Sequence, residues 1–284
     1  MSKVINYGKT FMQKFQKDNV PTLAAAQAYY YLLASVPLLV VCFTIIPYLN
    51  VDPNDIVRFI EKVLPSGIGT ILEENIISLV NTPRGGLLTV GIIGALWSSS
   101  AGINAFIKAT NQAYEVEESR NFIVVRLIAL GLTLGMILAL GVAILLPVFG
   151  SVLLDFAESF FGLSAAMTLL FQVLRWVVSV VVITLLLAML YKLAPDKNFP
   201  FKHVLPGAVT ASVLWMLVSL GFSFYVSNFG SYSATYGSLG GVIVLMIWFF
   251  LTGLILMIGA IVNVLYHRKH SHDVKTSANE AANM

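Results

Sequence analysis

Six apolar runs, at roughly 24–49, 86–110, 123–149, 165–193, 204–227 and 238–265, divide the chain. Each is near or above the ~20 residues a helix needs to cross ~30 Å of hydrocarbon. Lipid offers no partner to backbone N–H and C=O groups, so runs of this length predict helices. They are too long and too uniformly apolar for barrel strands. Runs of about 25 residues or more predict tilt, or extension beyond the hydrocarbon.

Two amphipathic patterns lie outside these runs. Residues 1–19 set Val4, Gly8, Phe11 and Phe15 at helical spacing among Lys3, Lys9, Lys14 and Lys17. That predicts a short basic helix at the membrane surface, with a frayed basic tail as the plainer alternative. Residues 50–85 carry the second pattern. Asp52-Pro53 has the form of a helix start, and Ile56, Phe59, Ile60, Val63 and Leu64 make a stripe ended by Pro65-Ser66-Gly67. A further helix is expected from about 69 to 81, with Leu72, Ile76, Leu79 and Val80 on one face. The pair could lie on the outer leaflet or cap the bundle, and capping needs no function beyond packing. The expected architecture is an all-α membrane protein: a basic segment 1–19, a six-span domain 20–266, and a polar tail 267–284.

Composition agrees with the pattern. The 284 residues are 58% hydrophobic and 11% charged, against about a quarter charged in a soluble domain. The net charge of +3 is too small to imply a nucleic-acid partner. A single cysteine, Cys42, excludes an intrachain disulfide and a cysteine metal cluster. The first run is too long for the apolar core of a signal peptide and no clear cleavage site follows it, so it is read as retained.

Charge placement sets an expected orientation. The N-terminus, the 2–3 and 4–5 loops and the C-terminus hold thirteen Lys and Arg residues, from Lys3 to Lys275. The opposite side has three, Arg58, Lys62 and Arg84, beside seven carboxylates. This bias predicts both termini in the cytoplasm of a bacterial cell membrane.

Polar groups within the spans are the candidates for function. Arg175 sits about ten residues into the fourth span, so ~15 Å of rise places it near mid-depth, with no acidic residue inside any span. It either snorkels to the interface or contacts an anion reached from an outward cavity. In the first span Gln27 and Tyr31 share a helical face, and Tyr29 and Tyr30 adjoin them. Pro37 disturbs the helix just above. The second span carries Trp97-Ser98-Ser99-Ser100, then Asn104, Lys108 and Asn111 at i, i+4 and i+7. That stripe fits a polar path, and its small residues equally fit helix packing.

The stretch Phe222–Gly241 is uncharged yet rich in hydroxyls and glycines. Asn228, Tyr232 and Tyr236 offer hydrogen bonds without ionisation, and Gly230, Gly237, Gly240 and Gly241 permit turns or close approach. By composition it is either a solvated loop or a folded plug, and its freedom from charge favours a packed, partly re-entrant cap. No span contains a histidine, and the sequence holds no H-E-x-x-H, G-x-S-x-G, P-loop or paired intramembrane carboxylates. Neither an enzyme nor a bound metal or cofactor is expected. The basic stretch His267–His270 reads as a membrane-flanking cluster.

Several blocks resemble the YihY/BrkB family of bacterial membrane proteins: LAAAQAYYYLLASVPLL at 23–39, ALWSSSAGINAFIKATNQAY at 95–114, YKLAPD at 191–196, and LPGAVTASVLWMLVSLGFSFYVSNFGSYSATYGSLGGVIVLMIW at 205–248. The resemblance implies a six-helix inner-membrane protein of the envelope, linked to transport, whose old ribonuclease label nothing in this sequence supports. It also puts Tyr30, Trp97, Asn104, Arg175, Pro195, Pro206, Asn228, Gly230, Tyr232, Tyr236 and Gly237 on motif positions. Ala101 and Ile261 depart from it, since family members often carry a basic and an acidic residue there. Asn263 remains, and is expected to hydrogen-bond across helices. Two functions stay open: a transporter or flippase-like protein for an amphipathic or anionic substrate, and a non-transporting scaffold. The expected partners are membrane lipids and an envelope protein.

Overall fold

The computed structural model describes the backbone of residues 2–45, 48, 85–138, 165–229 and 239–282. Side chains are described there except at 2–4, 42–43, 165–166, 168–176, 179, 227–229 and 271–282. Seven helices, and no strand, occur among the described residues. They are α1 (Ser2–Lys17), α2 (Val20–Ile45), α3 (Gly85–Tyr114), α4 (Phe122–Leu138), α5 (Ala165–Leu193), α6 (Phe201–Phe229) and α7 (Leu239–Ala282). Within α2, α3, α6 and α7 lie four segments long and apolar enough to cross a membrane: Val20–Val41, Gly85–Tyr114, Phe201–Val226 and Leu239–His270. The helices expected within 50–85, the far part of the third run and the stretch 230–238 lie outside the described residues.

Local chemistry explains the ends. Asn19 breaks α1 from α2 with a left-handed φ of 50°, and its carbonyl accepts from Thr22 and Leu23 to start α2. Pro21 sits in the first turn of α2, where no N–H is missed. α3 ends in a Schellman motif: Val116 N–H bonds the Asn111 carbonyl at 2.9 Å and Glu115 N–H the Gln112 carbonyl at 3.1 Å. Asn121 caps α4, its Oδ1 accepting from Val124 N–H at 2.8 Å.

Two compact units divide the chain, 30–102 on one hand and 1–29 with 103–284 on the other. In the smaller one, α2 lies against α3 through small residues. A Cβ on Gly91 would meet Val40 and Val41, one on Gly94 would meet Pro37, and one on Gly102 would press on the Tyr31 ring.

In the larger unit the core lies at one end of the helices. That end holds the basic residues of α1 and the close of α7, and is called the basic end below. Buried there are Ile103–Tyr114 in part, Ala188–Phe199 in part, and faces of α6 and α7 around Ala208 and Met257. From Val213 to Val226 in α6 no residue is buried, and from Leu239 to Thr252 in α7 only Gly240 is.

Candidate functional site

Two constructions occupy the basic end. The first is a crossing of α5, α6 and α7. Pro206 removes a rung from α6, and the next N–H, of Gly207, donates to Asn263 Oδ1 on α7 at 2.7 Å. The expectation that Asn263 bonds across helices holds. A Cβ on Gly207 would collide with the Gly259 carbonyl oxygen, and one on Gly259 with the Tyr191 hydroxyl. Glycine is needed at both positions because backbone meets backbone there. The Tyr191 hydroxyl donates to the Leu256 carbonyl at 2.7 Å, tying α5 into the crossing. One turn further along, Thr184 Oγ1 donates to Ser212 Oγ at 3.0 Å.

The second construction is a polar cluster in the loops. Asn111 donates to Glu118 Oε2 at 2.8 Å, and its Oδ1 accepts from Asp196 N–H at 2.8 Å. Ser119 donates to Asp196 Oδ2 through both N–H and Oγ at 2.6 Å. Arg120 grips Glu118 with Nε at 2.6 Å and a terminal nitrogen at 2.7 Å, and also reaches the Ala194 carbonyl at 3.0 Å. The Arg120 guanidinium therefore holds the Glu118 carboxyl below its ordinary range, while the bonds from Ser119 do the same for Asp196. The α3–α4 and α5–α6 loops are thus stitched together by charge-assisted bonds.

Beside this cluster, Glu115 collects three cations. Arg268 lies at 2.7 Å, Lys17 at 3.0 Å and Lys14 at 3.4 Å. The bond from Lys17 is the largest cause that lowers the Glu115 pKa, to about 2. Lys14 is buried and also pairs with Asp18 at 3.0 Å. Glu115 takes up a left-handed φ of 55°, the C′ position of the Schellman motif, and that turn aims its carboxylate at the trio.

On the α6–α7 side, His203 Nδ1 and His267 Nδ1 are 2.7 Å apart, a bond in which one ring donates and the other is bare at that nitrogen. His270 Nδ1 lies 3.0 Å from the Tyr266 carbonyl. His267 and His270 thus bond to specific partners. Among the described residues no group of three or more His, Cys, Asp or Glu is placed to hold a metal ion.

Of the residues expected to line a cavity, Gln27, Tyr30, Tyr31, Trp97, Asn104 and Lys108 have described side chains. Gln27 is wholly buried, and its amide donates to the Leu23 carbonyl at 3.2 Å. Tyr31 packs on Gly102 and Tyr30 is partly exposed, while Trp97 is 62% exposed. In the stripe Asn104–Lys108–Asn111, Lys108 is exposed, Asn111 bonds into the loop cluster, and Asn104 Oδ1 is enclosed without a hydrogen-bond partner among the described residues. Hydroxyls in the spans mostly bond to their own helix, Ser100 to the Trp97 carbonyl and Thr110 to the Phe106 and Ile107 carbonyls. Pro37 faces Gly94, and Gly240 is buried. The backbones of Arg175 and Asn228 belong to α5 and α6, but their side chains lie outside the described residues. Gly230, Tyr232, Tyr236 and Gly237 lie outside them altogether. Sequence reasoning missed Glu115, Asp196, Gly207 and Gly259, although the density of carboxylates and amides at 111–120 was a signal for the first.

The family described as Virulence factor BrkB matches residues 11–284. The "Putative ribonuclease-like protein YfkH" of Bacillus subtilis is 40% identical over 265 residues, which cover 93% of this chain and 96% of the relative. A "UPF0761 membrane protein" of Aeromonas salmonicida is 29% identical over 90% of this chain and 87% of its own length. Another, of Pseudoalteromonas atlantica, is 27% identical over 92% and 87%. No solved structure matches. The chain, with its apolar helices, is a membrane protein and belongs to the BrkB family.

Proposed function

We propose that this is a multi-pass transporter or flippase-like protein of the bacterial cell membrane, moving an amphipathic or anionic envelope component. The termini and the basic end face the cytoplasm, as the charge bias requires. The observation that carries the reading is the uneven burial of α6 and α7. Their basic-end halves hold the fully buried residues, while Val213–Val226 and Leu239–Thr252 are half-buried or exposed throughout, except at Gly240. The open halves run toward the uncharged, hydroxyl-rich stretch with Asn228, Tyr232 and Tyr236, and the mid-depth Arg175 of α5 supplies a guanidinium. Such a group takes a phosphate bidentately while hydroxyls hold the rest of a headgroup. Six spans, with two amphipathic helices between the first two, complete the proposed topology.

The ribonuclease-like wording in the Bacillus relative's name is not part of this proposal, since the sequence offers no nucleophile with a base and no carboxylate pair within a span. A second reading, a scaffold for envelope machinery, draws on α4. Gly131 and Gly135 there have only open space where a Cβ would be, and such a spacing admits another membrane helix. Lipid translocation by Arg175→Ala in proteoliposomes separates the two. Loss with the fold intact is expected, and unchanged translocation would sink the transport reading.

A further inference from the structure

We propose that α1 and the close of α7 form a binding surface for the phosphate of an anionic phospholipid, centred on Lys17 and Arg268. The inference stands apart from the transport reading, since a scaffold would carry the same surface.

Three cations, Lys14, Lys17 and Arg268, face two carboxylates, Glu115 and Asp18, so one positive charge is left over before Lys9 is counted. The trio is not uniform. Lys14 is buried between both carboxylates, whereas the side chains of Lys17 and Arg268 are 72% and 47% exposed. Lys17 has three N–H donors and Arg268 five. Each gives one bond to Glu115, at 3.0 and 2.7 Å, and each has further donors on an exposed side chain. Glu115 is the positioning residue: it holds two exposed cations at one carboxylate, each on its own oxygen.

The depth is right for a headgroup. Glu115 follows the last residue of the apolar span Gly85–Tyr114, and Arg268 lies two residues before the end of Leu239–His270. At that level a bilayer presents its phosphates. The exposed faces of α1 have the matching chemistry. Phe11 and Phe15 pack on the core, while Ile5 and Met12, seven residues apart on one stripe, are more than half exposed beside the exposed Lys9. Apolar side chains exposed next to excess positive charge, at the end of membrane spans, fit an anionic lipid better than a soluble anion, which has no use for Ile5 and Met12.

The test uses the full chain in vesicles, with spin-labelled phosphatidylglycerol and phosphatidylcholine compared for the fraction held at the protein. Wild type should prefer phosphatidylglycerol severalfold. Lys17→Gln and Arg268→Gln should each lower that preference roughly fivefold, and Lys197→Gln/Lys202→Gln, removing as much charge as both together, should leave it unchanged. An equal drop in that control, no preference in wild type, or displacement of the lipid by inorganic phosphate would overturn the proposal. A spin label at Ile5→Cys, in a Cys42→Ser background, keeps the idea falsifiable if the charge variants fold poorly. It should be more accessible to oxygen than to a water-soluble relaxant in phosphatidylglycerol vesicles, and the reverse order would place α1 in water and end the proposal.

Discussion

The two halves of α6 and α7 are built to different rules. Near the basic end, Gly207 and Gly259 let backbones touch, Asn263 takes an N–H from the other helix, and Tyr191 closes the third side. In the other half, contact is made by large side chains, as where Trp215 meets Trp248 edge-on at 5.8 Å. Gly221 there has nothing within reach of a Cβ. Within one helix, then, a glycine can be an obligatory contact or a mere absence of side chain, and only its neighbours tell which.

That contrast can be broken most directly with alanine. Gly207→Ala sets a methyl against the Gly259 carbonyl oxygen, and the loss should reach about 3 kcal/mol or abolish folding, since backbone cannot yield as a side chain would. Gly221→Ala should be neutral or stabilise by up to about 1 kcal/mol, through helix propensity alone. Thermal denaturation in detergent compares the two, and equal effects would erase the distinction. Next in size is Asn263→Ala, which strands the buried Gly207 N–H at a cost of about 2 kcal/mol. A double-mutant cycle between Thr184→Ala and Ser212→Ala should return about 0.6 kcal/mol, the usual worth of one hydroxyl bond between membrane helices.

The loop cluster allows a sharper version. Glu115→Gly should relieve the left-handed backbone by up to about 1 kcal/mol while releasing Lys17 and Arg268, whereas Glu115→Ala releases them without that relief. The glycine variant should melt above the alanine one, with α1 equally loosened in both. Because the folded Glu115 pKa is lowered to about 2 from an ordinary 4.5, its contribution is present above about pH 4.5 and lost as pH falls toward 2. Cross-linking between Lys17→Cys and Arg268→Cys cannot report this, as it removes the cations. Protease access to the α1–α2 turn can, and should rise over that window.

The helices themselves were legible because hydrocarbon thickness dictates run length: the fourth apolar run, 165–193, coincides with α5. α1 followed from the spacing of Phe11 and Phe15, and both pack on the core. Boundaries were less so. α3 runs on from the expected 110 to Tyr114 because Asn111 and Gln112, polar to the eye, supply the carbonyls of its Schellman end. Asn263 was legible as a cross-helix donor or acceptor, but not its partner, since an unremarkable Gly207 carries the N–H. The stripe of Asn104, Lys108 and Asn111 lies on one helix, but its surroundings were not legible. Helical spacing places residues on one face but does not say what the loops will bring to them, and Glu118 and Asp196 claimed Asn111 alone.

The crossing at Gly207 and Gly259 also sets a mechanical scale. α6 runs 22 residues beyond it to Phe229, an arm of about 33 Å. With backbones in contact there, the crossing would serve the proposed transport as a fulcrum. A tilt of roughly 10° about it would sweep the far tip of α6 by about 6 Å, enough to admit or expel a headgroup-sized body while the sealed end barely stirs.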